Sequence, residues 1–113
     1  NYQDFLRTVL EHSDLHLGIK ENTKNLSSDQ EERMHIIFSM LIALFERAYL
    51  LLFKSRFSRI QKRRWASWED YISEWCQRED FRDRLPQLLN GKDPEFAAYI
   101  MAIAQNLTAK PNA

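Results

Sequence analysis

The sequence predicts an all-α domain: an irregular bundle of four or five helices around one long central helix. Three observations carry that prediction. The stretch Ile36 to Phe53 is apolar except for Ser39, Glu46 and Arg47. Two glycines and three prolines in 113 residues leave few turn signals, which favours long helices over short strands. Helix-start chemistry recurs at Asn1, Ser28, Ser67 and Asp93.

One domain fits this length, and 44% apolar with 28% charged residues is globular composition. Sixteen basic residues balance sixteen acidic ones, so no global field draws the chain to polyanions. The single Cys76 excludes a disulfide scaffold and any zinc site with two Cys ligands. No signal peptide is visible. The chain begins with Asn1, which reads as a piece of a longer protein.

Tyr2, Phe5, Leu6, Val9, Leu10, Ser13 and Leu17 recur at helical spacing, and Gly18 reads as the stop. Residues 18–27 are polar and read as a mobile connecting loop. Ser28 to Glu31 fits a capping box, and no Gly or Pro follows until Pro86. The pattern therefore predicts one helix from Asp29 to about Gln61, roughly 50 Å at ~1.5 Å per residue, with room for a kink near Ser55. Ser67 with Asp70 opens a third helix through about Gln77. Asp80 caps a short fourth helix that Pro86 breaks. Asp93 and Pro94 start the last helix, and 108–113 reads as a frayed tail.

The eighteen-residue apolar run also meets the minimum for a transmembrane span. Glu46 and Arg47 argue against it, since each would cost roughly 2.5–3.5 kcal/mol near mid-bilayer. Met34, Phe38, Leu41, Phe45, Ala48 and Leu52 make one packing stripe, widened by Ile37, Leu44 and Leu51. Ile36, Met40, Ala43 and Leu50 need a second covering surface. Met40, Leu44, Glu46, Arg47 and Leu51 are therefore the candidate interface of a homo-oligomer. Glu46 and Arg47 are each expected to meet an opposite charge from another helix or to lie at the edge of the packed zone.

Little else carries chemistry. His12 and His16 are four apart, but no acidic partner or HExxH pattern joins them, so no metal, cofactor or catalytic residue is assigned. The chain is read as a non-enzyme. The basic run Lys54, Arg56, Arg59, Lys62, Arg63 and Arg64 is more informative. Either it matches a helix C-terminal dipole and neighbouring acidic helices, or it contacts phosphate on nucleic acid or an anionic membrane surface. A small-ligand pocket between the long helix and the tryptophan helix is a third possibility.

Phe45-Glu46-Arg47-Ala48-Tyr49, then Trp65 to Ile72, Phe81, Asp93 to Phe96, and Tyr99-Ile100 form a series of aromatic packing positions. The series resembles the helical soluble portion of small bacterial membrane-associated proteins of uncharacterised function. That resemblance spans roughly 38–100. It implies a cytoplasmic interaction domain, held at the cytoplasmic face of a membrane through a region outside this chain. It supplies no catalytic residue.

Overall fold

The computed structural model describes residues 1–19, 21–53 and 59–109, except the side chains of 59–61 and 108–109. Among them are five α-helices and no strand: α1 (Tyr2–Glu11), α2 (Ser28–Ala48), α3 (Arg59–Cys76), α4 (Glu79–Leu88) and α5 (Pro94–Ala109). A 3-10 turn, Ser13–Leu15, follows α1, and a π-helical turn, Tyr49–Phe53, extends α2. The all-α architecture matches the sequence expectation.

Helix α2 is the centre of the bundle, as expected. Its inner face buries Met34, Ile37, Phe38, Leu41, Ile42, Phe45 and Ala48. Rings set how the other helices lie on it. Trp75, Trp68 and Trp65 of α3 meet Phe38, Phe45 and Tyr49, with ring centres 6.1, 6.2 and 5.7 Å apart. Rising numbers on α3 therefore meet falling numbers on α2, so the two helices run antiparallel. Phe81 of α4 packs edge-on to Phe38 at 5.1 Å. Phe96 and Tyr99 of α5 pack on Tyr49 at 5.6 and 5.3 Å.

This corrects the expected continuous helix to Gln61. The α-helix ends at Ala48, the π turn ends at Phe53, and α3 returns along the same inner face. The proposed kink at Ser55 lies outside the described residues. Ser67 opens no helix, because α3 already starts at Arg59.

Other boundaries also shift for physical reasons. The first helix ends at Glu11 rather than near Leu17. Residues two apart on a helix point about 200° apart, so a continued helix could not bury both Leu15 and Leu17. The 3-10 turn and the left-handed His16 (φ 51°) let both reach the core. The capping box of α2 sits one residue early. Ser27 Oγ accepts from the Gln30 amide at 3.1 Å, and Gln30 Oε1 accepts from the Ser27 amide at 2.9 Å. Pro86 does not break α4. It lies in the last turn of a helix that ends at Leu88, where its missing N–H removes one bond. Helix α5 starts as expected, with Asp93 Oδ2 accepting from the Phe96 amide at 3.0 Å, and it runs on to Ala109.

The 18–27 loop was expected to be mobile, but its described residues are tied down by Arg78, at the α3–α4 junction. Arg78 is 1% exposed. Its Nη1 donates to the His16 and Ile19 carbonyls at 3.1 and 2.8 Å, and its Nη2 donates to Thr23 Oγ1 at 3.1 Å. Nε and Nη2 hold both Asp80 oxygens, at 3.0 and 2.7 Å. All five donors of the guanidinium are used, which is what makes a buried charge tolerable. The Asp80 amide also donates to Asn22 Oδ1 at 2.6 Å.

Candidate functional site

The inner face of α2 is closed by rings, and its outer face is not. Ile36 is 51% exposed, Met40 46% and Leu51 61%. Leu50 and Phe53 are also exposed, while Ala43 and Leu44 are half-buried. Helical spacing places Glu32, Ile36, Met40, Ala43 and Arg47 on one stripe, in steps of three or four residues. Both ends of the stripe are charged, and both charged residues are exposed. Neither Glu32 nor Arg47 has an ion pair among the described residues.

A groove of about 380 Å³ runs beside this stripe. Asp4, Phe5 and Thr8 of α1 line one wall, and Met40, Ala43, Leu44 and Arg47 of α2 line the other. Helix α1 thus covers one margin of the outer face and leaves the middle bare. The second covering surface that Ile36 and Met40 need is not supplied by the described residues of this chain.

The structure sorts the five expected interface residues. Met40, Leu44 and Arg47 share the groove, and Leu51 lies further along the same helical run. Glu46 separates from them. Its Oε2 accepts from the Asp93 backbone amide at 2.7 Å, so it serves the N-terminal end of α5 inside the bundle. The expectation for Glu46 was an opposite charge or an edge position; its partner here is a helix end. Arg47 takes the other expected place, exposed at the edge of the packed zone. Leu51 was expected to widen the packed stripe, and it points outward.

Ile36 was read from the sequence as needing a second cover, whereas Glu32 was not placed on this stripe. The spacing of 32, 36, 40, 43 and 47 was readable, but a glutamate just past the capping box reads as helix-start chemistry. Arg78 was missed because an arginine beside Glu79 and Asp80 looks like a solvated charge. Nothing local in the sequence signals that its side chain is buried.

The basic run divides. Lys54, Arg56 and the side chain of Arg59 lie outside the described residues. Lys62, Arg63 and Arg64 are exposed in the early turns of α3. That position corrects the dipole explanation, because cations sit there at the positive end of a helix rather than the negative one. No ion pair with the acidic helices holds them among the described residues.

The remaining chemical candidates sit in unreactive surroundings. Burial pushes the Cys76 thiol up to about 12, so its thiolate is scarce near neutral pH. His12 and His16 do not share a helix, since α1 ends before both of them. His12 Nδ1 lies 3.1 Å from Arg33 Nη1, and no metal-holding cluster occurs among the described residues. Arg33 also binds Asp14 at 2.7 Å, and its guanidinium, with the Gln30 amide, holds that carboxyl well below the usual carboxylate range. Between α2 and the tryptophan helix, where a small-ligand pocket was one expectation, the described rings pack against one another. There the Trp65 indole donates to Tyr99 Oη at 3.2 Å, and burial raises the Tyr99 phenol to about 12.

By length and composition, the 26-residue run Ser28–Phe53 is apolar enough to cross a membrane. The core helix of a bundle meets the same test. Comparison with family models, with characterised proteins and with solved structures gives no match. The functional reading therefore rests on the geometry of α2.

Proposed function

We propose that this chain is a non-catalytic interaction and oligomerisation module whose working surface is the outer face of α2. In this reading it is the cytosolic helical part of a membrane-associated bacterial protein. The single observation that supports it is the exposure of Ile36 and Met40, 51% and 46%, on a helix whose opposite face is sealed. Large apolar side chains scattered singly on a surface need no explanation. A run of them on one helix face, beside a groove, marks an association site. The membrane-associated parentage rests only on the resemblance carried by the aromatic series from Phe45 to Ile100.

The test is a paired charge insertion. Ile36→Lys with Met40→Lys should leave helicity and unfolding midpoint near those of the parent chain, because neither side chain serves the core. It should abolish concentration-dependent association in sedimentation velocity. Association that survives both lysines would remove the outer face of α2 from the reading.

A second reading, phosphate recognition, is favoured by Lys62, Arg63 and Arg64. Three exposed cations at the positive end of a helix repel one another and the dipole, and an anion would relieve both. Binding to anionic vesicles or nucleic acid should weaken steeply with salt and fall when all three become Ala. Binding indifferent to salt would end that reading.

A further inference from the structure

We infer that the occupant of the outer face of α2 is a second copy of the same helix, paired antiparallel about a two-fold axis between Ser39 and Met40. This inference rests on the proposed interaction surface and specifies its partner. Its basis is the charge pattern along the bare stripe. Glu32 stands at one end and Arg47 at the other, with Ile36, Met40 and Ala43 between them. Both charged side chains are exposed and lack an ion pair among the described residues. The other charges of α2 are engaged or lie off the stripe: Glu31 is exposed but points about 100° away from Glu32. Asp29 is bound to Arg33 at 2.9 Å, and Glu46 is bound to the Asp93 amide at 2.7 Å.

Glu32 and Arg47 cannot pair within one copy, because about 22 Å of helix separates them at ~1.5 Å per residue. Two copies resolve this in one orientation only. A parallel in-register pair would set Glu32 against Glu32 and Arg47 against Arg47. An antiparallel pair centred between Ser39 and Met40 sets each Glu32 opposite Arg47 of the second copy, twice over. The same register places Ile36 opposite Ala43 of the second copy, a large side chain against a small one. That alternation lets two helices approach to the 8–10 Å typical of packed pairs. The surface is self-complementary, which is the requirement of a two-fold interface. One helix pair lies below the ~800 Å² per partner of a standard interface, so the dimer is expected in the micromolar rather than the nanomolar range.

The closing experiment is a charge-reversal set read by sedimentation equilibrium at low salt, with circular dichroism as a check on folding. Glu32→Arg alone, or Arg47→Glu alone, turns two attractions into two repulsions and should raise the dissociation constant about tenfold. The double variant, Glu32→Arg with Arg47→Glu, restores opposite signs across the axis and should return the constant to near its original value. Mixing the two single variants should give heterodimers in preference to either homodimer. Single reversals that leave dimerisation unchanged would overturn the antiparallel register while keeping the interaction surface. A parent chain that stays monomeric, yet binds lipid vesicles through Ile36 and Met40, would overturn the second copy as occupant. A parent chain that neither dimerises nor binds vesicles would overturn both this inference and the proposed surface.

Discussion

Phe38 and Ile36 stand two residues apart on α2 and live in opposite surroundings. Phe38 is fully buried, edge-on to Phe81 and Trp75. Ile36 leaves 51% of its surface to solvent. The same helix therefore carries a face committed to folding and a face that folding does not use. The inner face is redundant in its contacts: three tryptophans of α3, Phe81 of α4 and Phe96 of α5 converge on it or on the turn beyond it. Among the described residues, the outer face has one partial neighbour, α1. Truncation should be costly on the first face and nearly silent on the second.

The sharpest way to break that contrast is Phe38→Ala. It should cost about 3–5 kcal/mol of unfolding free energy, as ring deletions in sealed cores do. Chemical denaturation measures it. Arg78→Ala should rank beside it, at about 3–5 kcal/mol, because it strands Asp80 and two loop carbonyls without their donor. A loss below about 1 kcal/mol for Arg78→Ala would mean that the 18–27 loop is not fastened as described.

Alkaline titration probes the same core with a smaller effect. The Cys76 thiol and the Tyr99 phenol are both raised to about 12 by burial. Each folded state thus holds its proton more tightly than the unfolded chain, whose values lie near ~8.5 for Cys and ~10 for Tyr. Their contribution to stability is fully present below those unfolded values and is lost as pH rises toward about 12. Cys76→Ala should remove the part of the slope that begins near pH ~9. In the native protein, labelling of Cys76 by a thiol reagent should be far slower than in the unfolded chain, because the buried thiol must first be exposed by opening. Smallest of all, Ile36→Ala should shift stability by no more than ~0.5 kcal/mol. A larger loss at concentrations where the chain is monomeric would mean that the outer face is covered within the monomer.

How much of this was legible in the sequence depends on range. Local chemistry read well. Asp93-Pro94 marked the start of α5, and the stripe from Met34 to Ala48 marked the inner face. The capping box was found one residue late because Ser27 and Ser28 are adjacent, and each has a Gln or Glu three positions on. Long-range chemistry did not read. No Gly or Pro falls between Phe53 and Arg59, so nothing local predicted that α3 would return along α2. That return follows from Trp65, Trp68 and Trp75 meeting Tyr49, Phe45 and Phe38 across the chain. Arg78 and Glu46 were missed or misassigned for the same reason, since their partners are a distant loop and a distant helix end. The candidate surface was half legible: Met40, Leu44, Arg47 and Leu51 followed from periodicity. Ile36 was already read as needing a second cover; Glu46 separates from the stripe and Glu32 joins it, because only packing decides which flank of a helix is covered.

The central claim is that the bare face of α2 is used for association. Sedimentation velocity of the parent chain, from low to high micromolar concentration, tests it most directly, with the Ile36→Lys and Met40→Lys variant run in parallel. The expected result is a reversible monomer–dimer shift in the parent chain and a monomer at every concentration in the variant, with equal helicity in both. A parent chain that sediments as a monomer throughout, indistinguishable from the variant, would contradict it.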